Sequence, residues 1–177
     1  MINLITTDMK TGTKSLLFGV HAIYIHPFYV AAAWIILYGF PFDPRIWLSF
    51  FFHDLGYWGK DKMDDEDGQK HVELGGRIMG VFGKEWREFT MLHSRFYAEK
   101  HDLPFSKLCV ADKFSICLES YGFYMLRASL SGEITEYMDN WESGSKMEWF
   151  FDIKLYMLQW TNSIEGQRAR IDRSNTV

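Results

Sequence analysis

Apolar positions along this chain recur at helical spacing or gather into runs, and nowhere do they alternate as a half-buried strand requires. The stretch 16–25 predicts a short helix after a polar, loosely held lead-in over 1–15. Pro27, directly after His26, suits the first turn of a second helix. The stretch 28–38 reads as a buried, alanine-rich helix, apolar on nearly all sides and stopped by Gly39 and Pro41. Asp43-Pro44 opens a third helix, 45–55, which carries His53 and Asp54 near its end before Gly56. After a solvated loop over 59–70, 71–82 fits a helix whose glycines permit close packing. The segment 84–100 is the clearest amphipathic helix, with Trp86, Phe89, Thr90 and His93 at i, i+3, i+4 and i+7 on its inward face. Beyond Pro104, 106–119 puts Leu108, Ala111, Asp112 and Ser115 on one face. Helices over 122–130, 133–141 and 147–159 complete the set, and the polar stretch after Ser163 is expected to fray.

The pattern predicts an all-α protein: one helical bundle over 1–177, with C-terminal helices 119–163 packing on the core. At 177 residues the chain is long enough for one well-buried core and short for two. A net charge of −4, without any Lys/Arg-rich stretch, argues against a nucleic-acid polymer as partner. Cys109 and Cys117 have neither zinc-ligand spacing nor the density of a disulfide scaffold, and the N-terminus lacks the layout of a signal peptide. Reduced thiols and a cytoplasmic location are therefore expected. No Asp, Glu, Lys or Arg lies between Ser15 and Phe42, but His21, His26, Pro27, Gly39 and Pro41 interrupt the segment, so a core helix is expected rather than a membrane span. Fifteen phenylalanines and seven tryptophans are many for one small core, which makes a homo-oligomer plausible.

The chemistry concentrates in 50–71, FFFHDLGYWGKDKMDDEDGQKH, where an aromatic run ends in adjacent His53 and Asp54. Burying an imidazole and a carboxylate among phenylalanines is costly without compensation, and a divalent metal compensates both. In chain order the candidates are His26, His53, Asp54, His71, His93 and Asp112. A lone histidine on an apolar face is more often a hydrogen-bonded core residue. Four of them with two inward carboxylates favour metal ligation, and the donor types suit one or two ions of iron, manganese, zinc, cobalt or nickel. His21, five residues before His26, is the rival first ligand, whereas His101 sits in a polar, surface-type stretch. The acidic run 61–67 is not an EF-hand: with Gly68 at the sixth loop position, Met63 and Leu74 fall on the first and last ligand positions.

Three motifs in order, His26-Pro27-Phe28-Tyr29-Val30-Ala31, Phe52-His53-Asp54-Leu55-Gly56 and Val110-Ala111-Asp112-Lys113, resemble the "H…VA", "HDxG" and "ADK" segments of the HD-domain metal-dependent phosphohydrolase superfamily. The resemblance spans roughly 15–118. It implies that His26, His53, Asp54 and Asp112 hold one metal, and that His71 and His93 help hold a second with Asp54 bridging. Where many two-metal members carry a lysine after the HDxG glycine, this chain has Tyr57, and the nearest lysine is Lys60. The implied activity is hydrolysis of a phosphate ester or anhydride, foremost a nucleotide, by a metal-activated water that Asp54 orients. Arg95 and Lys113, beside predicted ligands, are candidates to neutralise phosphate charge. Tyr57, Trp58, Phe96 and Tyr97 are candidates for base stacking or for the core. The same ligand set also admits a di-iron oxygenase cleaving a C–C or C–P bond, or a catalytically silent nucleotide-binding protein.

Overall fold

Two prolines start helices. Pro27 occupies the first turn of one, and Pro44 that of the next, where the Asp43 side chain accepts from Arg45 N at 2.9 Å. The computed structural model describes residues 9–139, 141 and 144–174. Among these the helices are α1 (Thr11–Phe18), α2 (His26–Tyr38), α3 (Pro44–Phe52), α4 (Val72–Met79), α5 (Lys84–Met91), α6 (Arg95–Lys100), α7 (Lys107–Ser115), α8 (Tyr121–Ser131), α9 (Glu133–Asp139) and α10 (Lys146–Ser174). No strand occurs among the described residues, and the protein is an all-α bundle.

At its centre α2 packs on α7 and α3, burying Val30, Ala33 and Trp34 against Phe50, Leu108 and Ala111. A second apolar cluster joins Val20 to α8, α9 and α10 through Tyr124, Ala128, Ile134, Trp149 and Phe150.

Several boundaries differ from the periodic pattern. The first helix lies at Thr11–Phe18, not 16–25; Gly12 N donates to Lys60 O at 3.0 Å, and residues 19–25 turn. The helical part of the 1–15 lead-in is thus packed, while 1–8 fall outside the described residues. The α3 helix ends at Phe52, and Leu55–Tyr57 form a separate 3-10 turn. The amphipathic segment 84–100 is two helices, because Ser94 caps α6 by accepting from Tyr97 N at 3.3 Å and Leu92 O accepts from Ser106 N at 3.1 Å. The loop over 59–67 is not simply solvated: Met63 is fully buried, and its N–H donates to Glu136 Oε2 at 2.9 Å. The α2 helix is not buried all round, since Phe28 and Ile36 remain 57% and 61% exposed. Rather than fraying after Ser163, α10 runs to Ser174, and Glu165 accepts from Tyr38 OH at 2.9 Å. No helix of the described residues is long and apolar enough to cross a membrane.

Candidate metal centre

Close backbone approach builds the site. A Cβ at Gly56 would overlap the His71 carbonyl, and one at Gly75 would overlap the Phe52 carbonyl and come within 3.1 Å of His53 Cα. Glycine at both positions lets the end of α3 settle against the turn Gly68–His71 and against α4. His53 therefore caps α3, His26 begins α2, Asp112 faces inward from α7, and His93 projects from the break between α5 and α6. All six predicted ligands are buried.

Their donor atoms converge in two groups: His26, His53, Asp54 and Asp112, then Asp54, His71 and His93, with the donor atoms of each group mutually within 4.8 Å. Asp54 Oδ2 lies 3.0 Å from His53 Nε2 and 3.4 Å from His26 Nε2, and Asp112 Oδ1 lies 2.9 Å from His26 Nε2 and 3.6 Å from His53 Nε2. The other oxygen, Asp54 Oδ1, is 3.3 Å from His93 Nε2 and 3.8 Å from His71 Nε2. Ligands about 2.0–2.1 Å from one ion stand about 3–3.4 Å apart, a spacing that the shorter of these separations match.

Three imidazoles have their tautomer set by the backbone. Nδ1–H of His53 donates to Phe50 O at 3.0 Å, that of His71 to Gly68 O at 2.9 Å, and that of His93 to Thr90 O at 2.6 Å. The Nε2 lone pairs consequently point inward, and those of His71 and His93 meet at 3.1 Å. Two facing lone pairs repel unless a proton or a cation lies between them. His53 Nε2 and Asp54 Oδ2, although close, make no well-aligned hydrogen bond and are buried without another partner, as is His26 Nδ1. His26 Nε2 and Asp112 Oδ1 do hydrogen-bond, at 2.9 Å, but the unpaired His53 Nε2 and Asp54 Oδ2 fit a bound cation.

Electrostatics agree. Burial favours neutral Asp54, but His53 and His21 overcome it and hold the carboxyl well below the ordinary range. Burial likewise raises Asp112, and the Lys113 ammonium with His26 and His53 drives it well below. Burial lowers His53, yet the Asp54 and Asp112 carboxylates together lift it to about 10, whereas His71 is pushed down to about 3 by burial and by His93.

A cavity of about 270 Å³ opens beside His26 and Asp112. Lys113 lines it, with Nζ 2.8 Å from Asp112 Oδ2. Arg95 does not reach it: its guanidinium donates to Tyr156 OH at 2.9 Å and lies over the Trp160 ring. Neither Trp58, 62% exposed, nor Phe96 lines it, and Tyr57 stacks on His71 with ring centroids 4.0 Å apart. Lys60 is paired with Asp67 at 2.9 Å.

His21 lines the cavity rather than joining either ligand group; its Nδ1 lies 2.8 Å from Glu133 Oε1. Glu133 is fully buried and also accepts from Ser15 Oγ at 2.7 Å and Val20 N at 2.9 Å. Sequence reading passed over this residue, and likewise Tyr124, Tyr137 and Trp149 in the cavity wall. Their one sequence signal is an acid or ring on an otherwise apolar C-terminal face, which no motif marks. No family model, curated protein or solved structure matches the chain.

Proposed function

We propose that this protein is an HD-type metal-dependent phosphohydrolase that cleaves a phosphate ester with a metal-activated water. The observation that carries the reading is the 3.1 Å approach of two imidazole lone pairs, His71 Nε2 and His93 Nε2, beside a carboxylate whose other oxygen serves His26 and His53. His26, His53, Asp54 and Asp112 would hold one cation, and Asp54, His71 and His93 a second. A bound divalent pair supplies Lewis acidity and a water of lowered pKa. Three protein donors in the second group leave coordination positions open, as catalytic rather than structural sites do.

The remaining roles belong to the chain itself. Asp54, fixed between four imidazoles, orients both halves of the site. Lys113 presents its ammonium at the cavity, where it neutralises an anionic phosphoryl oxygen. The carbonyls of Phe50, Gly68 and Thr90 keep three imidazoles in the ligating tautomer.

Metal-loaded protein screened against phosphate mono- and diesters, with elemental analysis alongside, tests the assignment. Phosphate or alcohol release that Asp54→Asn lowers by about a thousandfold or more is expected. Two irons, oxygen consumption and no phosphate release would instead identify an oxygenase.

A further inference from the structure

We infer that the site accepts a phosphate monoester with an uncharged, largely apolar body, in preference to a nucleoside di- or triphosphate. This rests on the phosphohydrolase reading and narrows its substrate class.

Charge carries the first part. Among the described residues lining the cavity, Lys113 is the one lysine or arginine, and it is already 2.8 Å from Asp112. Three cations on neighbouring elements are committed to other partners. Arg127 is buried against Glu119 and donates to Val20 O at 3.0 Å, Lys154 donates to Glu119 O at 2.9 Å, and Lys60 pairs with Asp67. The metal pair and Lys113 would suffice for one phosphoryl group, and His21, the other basic side chain of the wall outside the ligand set, is paired with Glu133 at 2.8 Å.

The rim adds repulsion. Asp64 lines the cavity from an exposed position with Asp65 and Glu66 next to it in the loop, whereas Asp61 and Asp67 are paired with Lys10 and Lys60. Unscreened charges act over about 8 Å at physiological salt, so a polyphosphate tail meets this loop as it enters. That loop is held in place by Met63, which is fully buried.

The wall sets the other end of the ligand. Tyr137 stacks on Trp149 with centroids 5.4 Å apart and planes 8° from parallel, and Tyr124, Ile116, Ile153 and Met157 continue the surface. Drug-sized ligands occupy pockets of about 300–1,000 Å³, so a volume near 270 Å³ suits a compact body.

Stopped-flow binding to the metal-loaded wild type, read from tryptophan fluorescence in the phase before turnover and using phenyl phosphate, methyl phosphate, ADP and ATP, tests the inference without relying on product formation. Phenyl phosphate is expected to bind about 10- to 100-fold tighter than methyl phosphate, the gain expected from burying one ring, and tighter than ADP or ATP. Ile153→Asn should erase the advantage of phenyl over methyl while leaving methyl phosphate binding in place. Lys113→Met should weaken both monoesters. ADP or ATP binding as tightly as phenyl phosphate, or methyl and phenyl phosphate binding equally, would overturn the inference. Tight phenyl phosphate binding to wild type without phosphate release would count against hydrolysis alone, and ATP hydrolysis faster than monoester hydrolysis would count against this substrate class alone.

Discussion

Tyr57 lies face to face on His71, its ring 11° from parallel, at the position that follows Gly56. The stack covers one face of an imidazole whose Nδ1–H is already bonded to Gly68 O, which restrains His71 from turning away from His93. Orientation of this kind is worth about 10- to 100-fold in metal affinity. Tyr57→Ala should weaken the second metal equivalent by about that factor and leave the first unchanged, while Tyr57→Phe should behave as wild type. Competitive titration with a chromophoric chelator separates these outcomes.

Metal uptake should release protons. In the metal-free cluster Asp54 and Asp112 together outweigh burial and raise His53 to about 10, so His53 is protonated at neutral pH and must lose that proton to ligate. Calorimetry in buffers of differing ionisation enthalpy should show at least about one proton released per chain at pH 7. Apparent affinity should rise with pH up to that range, and a pH-independent affinity would contradict the assignment of His53 as a ligand.

Glu133 and His21 give the metal-free protein a stability window. Burial raises Glu133, but its hydrogen bond and attraction to His21 hold it below 4.5. Burial lowers His21, but Asp54 and then Glu133 lift it above 6.5. The contribution of Glu133 is present above 4.5 and lost as pH falls through its folded value; that of His21 is full below 6.5 and lost as pH rises through its folded value. Between these limits both contribute. Glu133→Gln should cost about 1–3 kcal/mol near pH 6, and the difference from wild type should shrink on either side. Urea unfolding of metal-free protein across pH measures it.

How much of this was legible beforehand varied with the kind of force at work. Helical content followed from apolar spacing, and Leu108, Ala111, Asp112 and Ser115 do share the buried face of α7. The six predicted ligands also meet, because each was read from an inward position or an ordered motif. The break at Leu92–Ser94 escaped the reading, since the apolar period runs through it and the decisive event is a side-chain cap by Ser94. Arg95 was placed by adjacency to His93, but the break turns it towards Tyr156 and Trp160. Glu133 sits far along the chain from its partners Ser15 and His21, a tertiary contact that no local pattern encodes.

The phosphohydrolase reading depends on Asp54 serving two cations at once. Elemental analysis of protein dialysed after loading with iron, manganese or zinc measures it most directly. About two ions per chain are expected for wild type, about one for His71→Ala combined with His93→Ala, and none retained by Asp54→Ala. Wild-type protein that keeps no ion, or an Asp54→Ala variant that keeps both, would contradict it.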